Sequence, residues 1–372
     1  MNQEELEKIF YQGIDYLRFC KFEQAIDCFE EIIKYVPHSF DAWINKGLAL
    51  GHLKRYQEAL NSLDRSLEFR PNEPAVWLNR GIILFDSGQI EKALANFNKL
   101  LEMEPEFGEA WSNKGNCMLA LGKNQDAIMC YDRAIKYTPN KHLPYSNKGN
   151  ALANLGKFER AIKSYKRALQ VNPEQAQVWF NLGCAQMNYN LLQESIESYD
   201  KAIELNPNYA APWLNKGTVL SRMNKDYECL ECYNKSLEID PKNTHVWNNK
   251  GLVLRGLGRL QEAIECYDKS LECDPNNFEA WDNRGYALLK MGKYKEGIAS
   301  IDQSLKINPD HANGTYNKGY GYVLMGKTKL GVDLLIQAIN TNRPKYFEWA
   351  KTDEDLEILK KNKRFQEFLY GK

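Results

Sequence analysis

The chain of 372 residues carries 49 basic and 49 acidic side chains, so its formal net charge is zero. This balance argues against a global electrostatic attraction to nucleic acid or to anionic lipid. The acidic N-terminus and the lack of a long apolar run predict neither a secretory signal nor a membrane span. The nine cysteines, an odd number, favour free thiols, and we expect a soluble cytoplasmic protein.

A tripeptide of asparagine, a usually basic residue and glycine recurs at a constant spacing of 34 residues. Its asparagines are Asn45, Asn79, Asn113, Asn147, Asn181, Asn215, Asn249, Asn283 and Asn317. A constant period of this length is typical of a solenoid of stacked repeats. Ten units start at residues 6, 40, 74, 108, 142, 176, 210, 244, 278 and 312 and end near residue 345, and positions 1 to 34 below refer to these units.

The recurring residues predict a helix, a turn and a second helix in each unit. Tryptophan at position 4, glycine at position 8 and a mostly apolar residue at position 11 share one face of the first helix. Glycine or asparagine at position 15 suits the left-handed conformation that ends a helix. Small residues at positions 20 and 27 flank an aromatic residue at position 24, whose ring can cover the position-8 glycine. Proline at position 32 then ends the second helix.

The last residues, 346–372, break the period. Leu356, Leu359, Phe365 and Phe368 indicate one or two amphipathic helices in this tail. Because the last repeat of a solenoid would otherwise expose its apolar edge, we expect the tail to act as a helical cap. A separate role in binding a partner is the alternative.

These motifs resemble those of the tetratricopeptide repeat (TPR) family, with its tryptophan, glycine, small-aromatic-small and proline positions. The resemblance covers ten units, from residue 6 to about residue 345. It implies an all-α fold, a right-handed α-solenoid superhelix in which the first helices line a concave groove. Position 7 departs from the family, because its usual leucine is a basic residue in eight units.

Positions 2, 6, 9 and 13 lie opposite the tryptophan face and are expected to form the groove floor. A side-chain amide donates and accepts hydrogen bonds, as a peptide bond does. The candidate peptide-binding residues are Asn45, Asn79, Asn113, Asn147, Asn181, Asn215, Asn249, Asn283 and Asn317 at position 6, Asn116, Asn150, Asn154 and Asn188 at positions 9 and 13, and Tyr286 and Tyr320 at position 9. Position-6 asparagines form such a ladder in related proteins, although a purely structural role is the alternative.

Two other ligand modes are less favoured. The family's clamp for a C-terminal carboxylate needs lysines at position 5, and no unit has one there. The basic residues at position 7 could form a phosphate-binding stripe. We favour a structural role for them, with the charged group pairing with an acid at position 25 such as Asp64, Asp132, Asp268 or Asp302.

The sequence predicts no catalytic residue, no metal site and no cofactor. Cys229 and Cys232 are spaced like half of a zinc site, but no second pair follows, and Cys229 stands at position 20, which favours a core thiol. The expected function is therefore a non-enzymatic adaptor or assembly scaffold that binds an extended or helical segment of another protein. RNA binding through position 7 and self-assembly are the alternatives.

Overall fold

Each of the ten repeat units folds as two α-helices. The computed structural model describes residues 1–352 and 354–371. The first helices are α1 Gln3–Arg18, α3 Phe40–His52, α5 Pro74–Asp86, α7 Gly108–Ala120, α9 His142–Asn154, α11 Ala176–Asn188, α13 Ala210–Arg222, α15 Thr244–Gly256, α17 Phe278–Lys290 and α19 Ala312–Leu324. The second helices are α2 Phe22–Tyr35, α4 Tyr56–Phe69, α6 Ile90–Met103, α8 Asn124–Tyr137, α10 Phe158–Val171, α12 Leu192–Leu205, α14 Asp226–Ile239, α16 Leu260–Cys273, α18 Tyr294–Ile307 and α20 Thr328–Thr341. The all-α prediction is confirmed.

The turn inside each unit depends on a residue in the left-handed conformation at position 15. The predicted glycines and asparagines all have positive φ there: Gly88, Gly122, Gly156, Asn190, Asn224, Gly258, Gly292 and Gly326. Cys20 and Lys54 hold the same conformation in the first two units, with φ of 56° and 60°. The backbone geometry of the repeat is therefore kept even where the residue type is unfavourable for it.

The two helices of a unit meet at the position-8 glycine. A Cβ atom added to Gly149 would lie 2.5 Å from the ring of Tyr165, and one added to Gly115 would lie 2.6 Å from Tyr131. Both rings are almost completely buried. The ring at position 24 thus occupies the space that any other residue at position 8 would need.

The position-4 tryptophans are only partly buried, in contrast to the fully buried stripe expected from the sequence. In six units the indole N–H donates to the carbonyl oxygen of the preceding position-32 proline at 2.8–2.9 Å, from Trp43, Trp77, Trp111, Trp179, Trp247 and Trp281. The indole therefore bridges the end of one unit and the start of the next. Positions 3 and 10, as in Ala280 and Ala287, are buried instead.

The chain divides into two compact parts, residues 1–194 and 195–372. In the first part, helices α1 to α11 pack against their neighbours in chain order. In the second part, α13 to α20 do the same. The first helices of successive repeats also contact each other within each part, as α7 does with α5 and α9, and α17 with α15 and α19.

The tail after the last repeat consists of α21 Arg343–Thr352, a 3-10 helix Glu354–Lys361 and α22 Lys363–Tyr370. It begins three residues before the predicted boundary at 346. Its buried residues Leu359 and Phe365 share a hydrophobic cluster with Leu335 and Ile339 of α20. The tail thus covers apolar surface of the last repeat.

The glycine contact gives a stability prediction with a control in the same helix. A Cβ atom at Gly251 would lie 2.5 Å from Tyr267, whereas nothing lies within 4 Å of one at Gly256. We expect Gly251→Ala to lower the free energy of unfolding by about 1–3 kcal/mol through overpacking. Gly256→Ala should change it by less than about 1 kcal/mol, since alanine only improves helix propensity. Urea unfolding followed by circular dichroism measures both, and equal losses would contradict the packing explanation.

Candidate functional site

The first helices present the predicted binding residues on one face of the first compact part. Asn113, Asn116, Asn147 and Asn150 are partly exposed there, and Asn154 is exposed. Because α5, α7, α9 and α11 contact one another in order, these side chains form a surface that continues across repeats.

Four of the amides are joined in pairs across neighbouring repeats. The side-chain nitrogen of Asn147 donates to Oδ1 of Asn116 at 2.9 Å, and the hydroxyl of Tyr131 donates to the same oxygen at 2.8 Å. One repeat later, Asn181 and Tyr165 donate to Oδ1 of Asn150 at 3.1 and 2.7 Å. These asparagines therefore have a structural role. The two tyrosine hydroxyls, which the sequence analysis treated as core, are part of the network.

Other predicted amides bond within the first compact part or make no hydrogen bond. Asn45 and Asn188 each donate to a carbonyl of their own helix, and Asn154 donates to Asn124. The side chains of Asn79 and Asn113 make no hydrogen bond with the part of the chain that the structure describes. Their donors and acceptors are thus open to a ligand.

In the second compact part the candidate residues are more deeply placed. Tyr320 and Asn317 are 3% and 6% exposed, so neither offers much surface to a ligand. Asn283 donates to Asn248 at 3.1 Å, whereas Asn249 makes no hydrogen bond within residues 1–352 and 354–371. Asn215 is partly exposed and has a partner within the chain.

A buried acid in this part was not recognised from the sequence as a functional residue. Asp282 stands at position 5, where most units have an apolar residue, and it is 1% exposed. Asn317 donates to Oδ1 at 3.0 Å, Asn313 donates to Oδ2 at 2.6 Å, and Nε2 of His311 lies 3.2 Å from Oδ2. Three partners thus compensate the burial of this carboxylate. The break in the position-5 pattern was the available signal.

The basic residues at position 7 mostly form ion pairs with the acid at position 25 of the preceding repeat. The six pairs are Lys46–Glu30, Arg80–Asp64, Lys148–Asp132, Lys216–Asp200, Arg284–Asp268 and Lys318–Asp302. Lys114 and Lys250 follow an asparagine at position 25 and lie over the tryptophan ring of their own repeat, 5.0 and 5.2 Å from its centre. The stripe therefore lacks a continuous positive charge, which supports the structural interpretation over phosphate binding.

The cysteine pair Cys229 and Cys232 is buried in α14. Burial raises the pKa of Cys229 to about 12, as expected for a core thiol. Among residues 1–352 and 354–371, no group of three or more His, Cys, Asp or Glu side chains is placed to hold a metal ion. None of the described helices combines the length and apolar character that a membrane crossing requires.

Family comparisons match most of the repeat region. Models of the tetratricopeptide repeat match residues 12–74, 78–141, 149–188, 176–209, 198–231, 246–277 and 266–299. A model of the protein prenyltransferase alpha subunit repeat matches residues 226–257. None of the curated proteins compared with the chain matches it.

Several solved structures are similar to parts of the chain. MamA is 27% identical with a TM-score of 0.42, over 43% of this chain and 94% of its own. YrrB, a TPR protein with an unusual peptide-binding site, is 23% identical with a TM-score of 0.44, over 50% and 97%. The C-terminal part of a TPR repeat-containing protein from Cytophaga hutchinsonii is 18% identical with a TM-score of 0.55, over 64% and 98%. This last likeness shows the fold alone.

The amide network separates structural asparagines from available ones. Asn147→Ala removes the hydrogen bond to Asn116 and should lower the free energy of unfolding by about 1 kcal/mol. Asn113→Ala removes no hydrogen bond within the described chain and should change it by less than about 0.5 kcal/mol. Chemical unfolding of both variants measures the difference, and similar losses would show that Asn113 is also structural.

The thiols should react according to their burial. Cys20 and Cys273 are exposed, whereas burial raises the pKa of Cys117 and of Cys229 to about 12. At pH 8 very little of either buried group is thiolate, the form that reacts. We expect maleimide to label Cys20 and Cys273 in the folded protein, and Cys117 and Cys229 only in denaturant. Peptide mass spectrometry identifies the sites, and rapid labelling of Cys229 in the folded protein would contradict the assignment.

Proposed function

The chain belongs to the tetratricopeptide repeat family, and from that premise we propose that it is a non-enzymatic scaffold that binds a peptide segment of another protein. The bound segment is extended and lies along the first helices α5, α7, α9 and α11. The nine cysteines are free thiols, which suits a protein that works in the reducing cytoplasm.

The observation that carries the proposal is the pair of open amides on this face. Asn79 and Asn113 stand at the same position of successive repeats, partly exposed and without a hydrogen bond to the described chain. Each can donate to a peptide C=O and accept from a peptide N–H. Contacts of this kind recognise the backbone and place little demand on the ligand's sequence.

The paired amides next to them support binding by holding fixed orientations. Asn147 donates to Asn116, and its own Oδ1 accepts no hydrogen bond from the described chain, so it faces a ligand as an acceptor. Asn116 spends its oxygen on Asn147 and Tyr131, which leaves its N–H groups as donors. Since these side chains are already ordered, binding costs less conformational entropy.

Apolar side chains on the same face supply contacts for the ligand's side chains. Leu143 in α9 is 58% exposed, and Leu48 and Ile82 in the preceding repeats are partly exposed. Side chains of an extended peptide alternate in direction. Every second residue of the segment can therefore meet the protein, and an apolar residue is favoured there.

The test is selection of binding peptides from a random display library, followed by affinity measurement with the Asn79→Ala/Asn113→Ala double variant. We expect affinity to fall about tenfold, the loss of two neutral hydrogen bonds. The matched control is Asn61→Ala/Asn98→Ala, which removes two amides from the second helices α4 and α6 and should bind like the wild type.

A second comparison isolates backbone recognition. N-methylation of the central peptide bonds of a selected ligand removes its N–H donors and should weaken binding more than alanine replacement of one ligand side chain. Selected peptides that respond to neither Asn79→Ala/Asn113→Ala nor N-methylation would contradict the proposed mode, as would a selection that yields no binder.

A further inference from the structure

A cavity of about 300 Å³ opens among α15, α17, α19 and α21 in the second compact part. Its lining includes Arg255, Tyr286, Asn313, Tyr316 and Trp349. The residues thus combine a guanidinium, an amide and three aromatic rings around a space large enough for one side chain. It lies apart from Asn79 and Asn113, which belong to the first compact part.

The floor of this cavity is ordered by the buried Asp282. Its carboxylate accepts from the amides of Asn313 and Asn317, both of which line the cavity. Hydrogen bonds to an ionised group are stronger than those between neutral groups. The two amides are therefore held in place by an anchor below the cavity.

The aromatic wall is ordered by contacts of its own. Tyr316 stacks on Tyr346 with ring centres 5.5 Å apart, and Trp349 meets both rings edge to face, at 6.1 Å from Tyr316 and 5.5 Å from Tyr346. This cluster joins α19 of the last repeat to α21 of the tail. The tail therefore contributes a wall of the cavity in addition to covering the last repeat.

Arg255 is held by neutral groups and forms no ion pair with the described residues. Its Nη1 donates to Oδ1 of Asn283 at 3.2 Å, and its guanidinium carbon lies 5.0 Å from the ring centre of Tyr286. Asn283 is fixed in turn by donating to the buried Asn248. The guanidinium is therefore oriented, while most of its five donors stay open.

This state differs from that of other arginines in the same part of the chain. Arg259 pairs with Glu262, and Arg284 pairs with Asp268. Among the described residues that line the cavity, Arg255 is the one with a full charge. The nearby Asp282 is buried and bonded to three partners.

We propose that this cavity binds a carboxylate of a peptide, with the carboxylate on Arg255 and a neighbouring apolar or aromatic side chain between Tyr286, Tyr316 and Trp349. A planar guanidinium fits a carboxylate in a bidentate arrangement. The carboxylate comes either from an acidic side chain or from a chain terminus. This site is independent of the peptide-binding face of the first compact part, so the two proposals can fail separately.

The test uses the full chain labelled with 5-fluorotryptophan and observed by fluorine NMR, with the Trp349 signal assigned from Trp349→Phe. Three synthetic peptides serve as probes. Acetyl-Ala-Phe-Glu-Ala-amide carries a side-chain carboxylate, acetyl-Ala-Phe-Ala carries a terminal one, and acetyl-Ala-Phe-Gln-Ala-amide carries neither. Titration to about 10 mM detects dissociation constants near 1 mM.

We expect a carboxylate peptide to shift the Trp349 signal in a saturable way and to bind at least about tenfold more tightly than the neutral peptide. The carboxylate peptide that binds more tightly identifies the source. Arg255→Gln should weaken that binding by about the same factor, and Arg255→Lys by less, because lysine keeps the charge. The matched control is Arg222→Gln, which removes an exposed arginine from α13 and should leave binding unchanged.

Three results would overturn the proposal. These are equal binding of the neutral peptide, unchanged binding by Arg255→Gln, and the absence of a saturable shift with either carboxylate peptide. A melting temperature of Arg255→Gln close to that of the wild type shows that a loss of binding reflects the missing charge. Intermediate binding by Arg255→Lys gives the same distinction without relying on stability.

Discussion

The contact between the position-8 glycine and the position-24 side chain is the constraint on which the rest of the structure depends. With no Cβ atom in the way, the ring of Tyr165 lies against the backbone of α9 at Gly149, and the same contact joins Tyr131 to Gly115. It fixes the separation of the two helices in a unit. Because every unit repeats it, each first helix has the same surroundings and presents the same positions to the same face.

A second set of contacts acts between units. The indole N–H of each of six tryptophans reaches the proline carbonyl that ends the preceding unit, and six ion pairs join position 7 to position 25 across the same junction. Lys166 at position 25 is followed by Leu182 at position 7, so a basic residue is absent where its partner would repel it. Exposed ion pairs contribute little energy each. Their effect here is to use up the charge of the stripe, which leaves the amide face as the better candidate for binding.

The asparagines serve two purposes that the repeat pattern does not separate. Asn116 and Asn150 accept from a tyrosine of their own repeat and an asparagine of the next, and so connect neighbouring first helices. Asn79 and Asn113, at the same position as Asn147, keep their hydrogen-bonding groups open. A scaffold that orders some amides through others can present a peptide-like surface with little loss of entropy on binding. In the second compact part, Asp282 orders Asn313 and Asn317 in a comparable way, around a cavity with a positive charge.

The sequence by itself determined the period, the helix pairs and the turns, since these depend on residues with distinctive local properties. Proline ends a helix, glycine at position 8 permits close approach, and Asn190 and Asn224 adopt the left-handed conformation expected of them. Only the tertiary structure decided which amides are available. The partner of Asn147 lies 31 residues away on another repeat, and Asn317 reaches Asp282 across 35 residues. The burial of Tyr320 and the cavity beside Arg255 depend on four helices that meet in space, and a pattern read along one chain does not contain that meeting.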